Sequence, residues 1–333
     1  MFPLLHVART VGAALATAAL IAPTLAPMAH AQAWPNKPVK LINPFPAGGG
    51  TDTFARPLSA QLSKQTGQQF IIENLGGAGG TVGAAQAARA APDGYTFLIG
   101  AVHHTIAPSI YPKLSYDIEK DFVPVTLLAI MPFVIAVQPN KLPNVKTVKD
   151  LVEAAKAAPG KLNFGSAGSG TSQHLTGELF KLTNHVDITH VPYKGMGPAM
   201  QDFLGGSLDV LFDGMSATAA QIRAGKARPL GLMAAQRSTQ YPDIPTVAEQ
   251  GFANAEVSQW YGVWAVKGTP PEIVDRMYRE LAKALDDPMI KANWAAASAD
   301  AGGMPPAEFA KFVHAERERW AKVAKASGAK LDN

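Results

Sequence analysis

From Val39 to Ala101, short apolar runs alternate with amphipathic stretches, and glycines sit where one gives way to the other. VKLINPF predicts a strand, and residues 52–66 carry Phe54, Leu58 and Leu62 at i, i+4 spacing, which predicts a helix with one buried face. FIIENL is a second strand, GGAGGT a second glycine turn, VGAAQAARAA a small-residue helix ending before Pro92-Asp93-Gly94, and YTFLIG a third strand. Apolar strands alternating with helices predict a parallel sheet covered by helices on both faces.

The same rhythm returns further on. TVKDLVEAAKAAPGK, SQHLTGELFKLTN, GPAMQDFLGG and ATAAQIRAGK read as helices, and LNFGSAG, ITHVPY, LDVLFDG and ARPLGLMA as the strands between them. This second series has its own glycine-rich turn, GSAGSGTS, which predicts two similar lobes, each with its own sheet. VPVTLLAIMPFVIAVQP and EVSQWYGVWAVKG are long β-rich runs placed where the chain would cross between lobes. PPEIVDRMYRELAKALDD and PAEFAKFVHAERERWAKVAKAS are amphipathic helices expected to pack back on the first lobe. The expected division is residues 34–133 with 258–333 as a discontinuous first lobe, and 134–257 as the second.

Residues 1–33 stand apart. Arg9, an apolar run from Val11, and Ala31 and Ala33 before Trp34 have the order of a secretory signal peptide cleaved near Ala33. Pro23 and Pro27 in that run, and the lack of a following basic cluster, disfavour a membrane anchor. The apolar stretch VTLLAIMPFVIAVQ is too short to span a bilayer and holds Pro132. An exported, soluble protein is therefore expected. The 333 residues, 47% of them hydrophobic, suffice for a large core. Zero cysteines exclude disulfides, thiolate zinc sites and a lipid anchor on cysteine. The net charge of +4 is spread along the chain, which argues against nucleic acid and leaves a small acidic ligand open.

In open parallel sheets ligands sit beyond the carboxyl ends of the strands, where the turns at 46–52, 76–80 and 165–172 are expected. Helix N-termini there offer unpaired N–H groups and the positive end of a dipole, so an anion site needs no Lys or Arg. No Walker pattern occurs, and the dinucleotide fingerprint fails because its last position, counted from Gly77, falls on Val82. A carboxylate fits these turns better than a pyrophosphate. Thr51, Asp52, Thr171 and Ser172 are natural caps or donors at helix mouths, with Asp52 favoured as a cap; Ser166 and Ser169 could also donate. The nucleophile-elbow pattern is missing, and Ser172 and His174 would face different sides of a helix, so a hydrolytic triad is disfavoured. The histidines have no metal-ligand spacing. His104, after the third strand, could donate to a ligand. Tyr193 and Lys194 close one strand, and Phe212 and Asp213 another; Trp260, Tyr261 and Trp264 read as core or hinge residues.

Taken in order, WPNKPVKLINPFPAGGGTD, ENLGGAGGTVGAAQAARAAPDGYT, YDIEKDFVPVTLLA, FGSAGSGTSQHLTGELF, HVPYKGMGPAMQDFLGGSLDVLFD, IRAGKARPLGL and YPDIPTVAEQGF resemble the Bug family. These are extracytoplasmic solute receptors associated with tripartite tricarboxylate transporters. The resemblance implies a two-lobed α/β periplasmic binding protein of type II-like architecture. It would be a monomer without cofactor or metal, closing on a small organic acid for a membrane permease. It also implies, by motif position, a site formed by Phe45, Ala47, Gly48, Gly49, Gly50 and Thr51. Opposite these would stand Ser166, Ala167, Gly168, Ser169, Gly170, Thr171, Ser172, Tyr193, Phe212 and Asp213, with His104 alongside. Gly50 before Thr51 departs from the commoner form of the first loop. An aliphatic or aromatic di- or tricarboxylate fits. An exported enzyme acting on a carboxylate or ester, and a ligand sensor for a membrane signalling partner, remain the alternatives.

Overall fold

A computed structural model of the chain describes residues 34–252 and 256–328; the segment read as a signal peptide lies outside them. The first series is β1 (Val39–Asn43), α1 (Gly50–Thr66), β2 (Phe70–Asn74), α2 (Thr81–Ala88), β3 (Thr96–Ala101) and α3 (His103–Ile110). The long β4 (Phe122–Val137) leads to α4 (Val148–Ala157), β5 (Asn163–Ser166), α5 (Ser172–Asn184), β6 (Thr189–Pro192), α6 (Met196–Leu204), β7 (Val210–Gly214), α7 (Met215–Arg223) and β8 (Arg228–Met233). The chain returns through β9 (Ser258–Val266) and ends with α8 (Pro271–Leu285), α9 (Pro288–Ala296), the two-residue β10 (Asp300–Ala301) and α10 (Pro306–Ser327).

Local chemistry sets many of these boundaries. α1 stops where Gly67 takes a left-handed conformation and its N–H returns to the Ser63 carbonyl. Thr147 and Asp150 form a capping box that starts α4. Asp287 caps α9, with Pro288 in the first helical position.

Both lobes share one plan. β2-β1-β3 run parallel in the first, β6-β5-β7 in the second, so the middle strand of each trio is its first in sequence. β9 closes the first trio by pairing antiparallel with β3, and β4 closes the second by pairing antiparallel with β7. The expected two sheets are joined, because β4 runs unbroken for 16 residues. Its Phe122–Pro132 part pairs with β9 and its Phe133–Val137 part with β7 and β8. The return crossing lies beside it, with Pro132 opposite Ser258 and the Phe133 N–H donating to the Val257 carbonyl at 3.0 Å. Pro124 is tolerated because the β4–β9 register shifts there.

The terminal helices tie the two lobes together. α8 packs on α1 as expected, whereas α10 packs on α3 of the first lobe and α5 of the second. The Glu316 carboxylate on α10 accepts from the indole N–H groups of Trp260 (2.8 Å) and Trp320 (3.2 Å). No helix among the described residues is long and apolar enough to cross a membrane.

α3 was not expected from the sequence. It holds Pro108, yet His103, His104, Thr105, Ile106, Ala107 and Ile110 are all buried, and tertiary packing outweighs a poor local propensity. The two imidazoles lie 3.9 Å apart, centre to centre. Burial lowers both pKa values, that of His104 to about 3, and for His103 the neighbouring His104 adds to the effect. Both rings are therefore neutral in the folded protein and take up protons on unfolding below about pH 6.5, so the stability they leave intact above that pH is lost as it falls. Urea unfolding at pH 5.5 should show roughly 3 kcal/mol less stability from this pair than at pH 7.5, about 1.4 kcal/mol per ring. His104→Gln should remove about half of that difference; an unchanged difference would contradict the account.

Candidate functional site

A cavity opens between the lobes, at the carboxyl ends of β1, β3 and β7 and at the first turns of five helices. Gly50 and Thr51 of α1, His103 of α3, Ser172 and Gln173 of α5, Met196 and Gly197 of α6, and Ser216 and Ala217 of α7 all line it. Gln259 and Tyr261 of β9 also line it. The lining includes no Lys or Arg; its ionisable side chains are His103, Asp213 and Tyr261. Burial raises the Tyr261 hydroxyl pKa far above its ordinary value, so it is a neutral donor.

At α1 the N–H groups of Gly49, Gly50 and Thr51 have no hydrogen-bond partner among the described residues. These are orphan donors of a helix start, aimed with the positive end of the dipole. The Gly48 N–H is not free, since it donates to Asp52 Oδ2 at 2.9 Å, and the same oxygen receives Arg56 Nε at 2.7 Å. Asp52 therefore ties down the loop before α1 and does not cap the helix's own first N–H groups. Gly49 has ordinary helix-entry geometry, and a Cβ there would meet only the Pro46 carbonyl, at 3.7 Å. Gly50 differs: a Cβ would overlap the Tyr261 hydroxyl and lie 2.9 Å from Ser216 Oγ. The departure from the commoner loop therefore accommodates Tyr261 and the second lobe.

On the opposite wall, Ser172 Oγ donates to Gln259 Oε1 at 2.9 Å, and Gln173 Nε2 donates to Asp213 Oδ1 at 3.1 Å. Thr218 Oγ1 donates to Asp213 Oδ2 at 2.8 Å. Desolvation raises the Asp213 pKa, opposed by its bonds from Thr218, Gln173 and the Gly214 N–H.

Of the residues singled out in the sequence, the cavity wall holds Phe45, Ala47, Gly49, Gly50, Thr51, Ala167, Thr171, Ser172 and Asp213. Gly48 faces an adjoining groove with Thr53 and Gln201. Gly168, Ser169, Tyr193 and Lys194 line a second groove with Gly77–Gly80, on the far side of Phe45. Phe212 lies in the core between Phe164 and Phe180, since adjacent strand residues face opposite ways and Asp213 takes the cavity side. The imidazole at the cavity is His103, edge-on to Phe45 at 4.7 Å; His104 is turned away, with Nδ1 2.6 Å from the Tyr116 hydroxyl. Ser166 Oγ lies 2.7 Å from His190 Nε2, the spacing of a nucleophile and its base. Its hydroxyl is fully buried off the cavity wall and also accepts the Gly168 N–H, so it presents no nucleophile there.

Sequence reasoning missed His103, Gln173, Gly195, Met196, Gly197, Ser216, Ala217, Gln259 and Tyr261. Gly195–Gly197 and Ser216–Ala217 follow strands as the first glycine loop does, a signal that could have found them. Gln259 and Tyr261 carry none, because the face a long strand shows to the cleft depends on its partners.

The other two glycine turns serve contact between the lobes. The Tyr111 hydroxyl, at the end of α3, donates to the Ser169 carbonyl of the second lobe at 2.7 Å. A Cβ at Gly79 would lie 2.9 Å from that carbonyl oxygen, and one at Gly170 would lie 2.8 Å from the Tyr111 ring. Gly170 itself donates to His174 Nδ1 at 3.1 Å. No group of three or more His, Asp or Glu side chains able to hold a metal occurs among the described residues.

Comparison with known proteins agrees with this architecture. Residues 54–329 match the model of the tripartite tricarboxylate transporter family receptor, TctC. Protein BugT of Bordetella pertussis is 36% identical over 323 residues, covering 96% of this chain and 97% of its own. The structure of the periplasmic binding protein BugD, 34% identical, superposes with a TM-score of 0.85 over 90% of this chain and all of its own. That of R. palustris Rpa4515 with adipate, 37% identical, gives 0.86 with the same coverage. A two-lobed fold matched along its length, with the cleft between its lobes, places the chain in the TctC family of tripartite tricarboxylate transporter receptors, to which the Bug proteins are related.

Proposed function

We propose that the protein is an exported receptor that captures a small organic acid between its lobes and delivers it to a membrane permease. The observation that carries this reading is the meeting of five helix starts on one cavity whose lining holds no Lys or Arg. Unpaired N–H groups at Gly49–Thr51 can hold a carboxylate without a formal counter-charge. Among the expected di- and tricarboxylates, aliphatic or aromatic, the adipate in the related Rpa4515 structure supports an aliphatic dicarboxylate, with Phe45 in the cavity wall. BugD, a periplasmic binding protein, supports the periplasm as location and residues 1–33 as an export signal. In this reading the protein acts as a monomer, binds without turnover, and divides at the paired crossings into residues 34–133 with 258–333, and 134–257.

Capture consists of closure about the crossings, with the acid bridging the lobes and favouring the closed state. The contact of Tyr111 with Ser169 belongs to that state and touches no cavity-lining group that would read the ligand.

A thermal-shift screen of ligand-stripped protein against mono-, di- and tricarboxylates, with uncharged amides as controls, tests the reading. An acid at about 100 times its Kd should stabilise by roughly 2.7 kcal/mol. Stabilisation by amides and not acids would defeat the reading. Gly49→Val should weaken the best acid at least about tenfold, since a Cβ there meets only the Pro46 carbonyl and the side chain crowds the orphan donors, while the free protein loses only the modest stability of a favoured N-cap residue. Tyr111→Phe should weaken every acid by one common factor, roughly 2- to 10-fold, the worth of one hydrogen bond. Titration calorimetry across several acids would show it; a change in their order of preference would contradict the closure role.

A further inference from the structure

Recognition of a carboxylate by helix starts leaves one group in the cavity unused. Asp213, the penultimate residue of β7, has 3% of its surface exposed, and it is the carboxyl side chain among the residues that line the cavity. Gln173 Nε2 holds one of its oxygens and Thr218 Oγ1 the other, so the carboxyl group is fixed in orientation without a cation beside it. A carboxylate so placed repels a second ligand carboxylate and accepts from an O–H or N–H. Gln259 Oε1, which already accepts from Ser172, is a further acceptor on that wall. The cavity therefore has two chemically opposite sides. One, at α1, offers donors to an anion; the other, at β7, offers an acceptor to a donor.

We infer that Asp213 is the specificity-determining residue of the site and selects acids that bear a hydroxyl or ammonium group in addition to their carboxylates. This rests on the carboxylate-receptor reading and narrows it to hydroxy or amino acids. Desolvation raises the Asp213 pKa, opposed by three hydrogen bonds, and a ligand donor would add a fourth to its lone pairs. A merely structural Asp213, tying α5 and α7 to β7 through Gln173 and Thr218, would affect every ligand alike.

Titration calorimetry on the refolded, ligand-stripped protein decides between these roles. The probes are matched series that differ only in the donor: succinate, malate and aspartate; glutarate, 2-hydroxyglutarate and glutamate; adipate, 2-hydroxyadipate and 2-aminoadipate. In at least one series the hydroxy or amino member should bind ten times more tightly than the unsubstituted acid, and which of the two does so identifies the donor. Asp213→Asn should shrink that preference to under threefold, by weakening the substituted member relative to the unsubstituted acid. Thr218→Val, which removes a partner of Asp213 outside the cavity lining, should lower stability and keep the preference. Unsubstituted acids binding as tightly as their substituted partners, or Asp213→Asn weakening all members equally, would overturn the assignment and leave the receptor reading standing. Binding of none of the nine acids would overturn both.

Discussion

A helix start leaves N–H groups without partners, and five such starts are gathered around one cavity. The rest of the molecule follows from that constraint. Parallel strands in each trio end on the same edge, so the helices that follow them begin there too, and two trios facing each other enclose the cleft. The glycines of the first loop do separate jobs within it. Gly48 commits its N–H to Asp52, Gly49 keeps the approach open, and Gly50 makes room for Tyr261 and Ser216 across the cleft. Positive potential supplied by backbone needs no flexible Lys or Arg side chain to be ordered on binding, which lowers the entropic cost of capture.

The chain passes between the two lobes at one paired crossing, and α10 packs across both. β4 crosses unbroken from one to the other, and the return crossing at Val257–Ser258 lies beside Pro132–Phe133. In the receptor reading, bending there brings the lobes together; the register of β4 shifts on either side of it, between Leu127 and Ala129 against β9 and between Ile135 and Ala136 against β8. At the opposite side of the cleft the contact between Tyr111 and Ser169 stands on glycines whose missing side chains let the lobes approach. Closure is thus shaped by the chain's own contacts as well as by the ligand.

Much of the fold was legible because apolar runs such as YTFLIG and LDVLFDG mark buried parallel strands without reference to their partners. α3 was not, since HHTIAPSI has no clear apolar period and holds a proline, and burial beneath α10 decides its form. At the site, a loop-level reading located turns that line the cavity and could not choose between neighbours. His103 and His104 differ by one position, about 100° of helix rotation, which sends one ring to the cavity and the other to Tyr116. Phe212 and Asp213 differ by one strand position and so face opposite sides. The glycines at 76–80 and 168–170 were open to two explanations, ligand approach or close approach of chain to chain, and only the folded geometry separates them.

Backbone recognition of the acid is most directly tested by amide chemical shifts. In ¹⁵N-labelled, ligand-stripped protein titrated with its tightest-binding acid, the N–H resonances of Gly49, Gly50 and Thr51 should show downfield proton shifts on saturation, as new hydrogen bonds to a carboxylate produce. Unmoved amides at these three positions, with the changes concentrated on lysine or arginine side chains, would contradict the account.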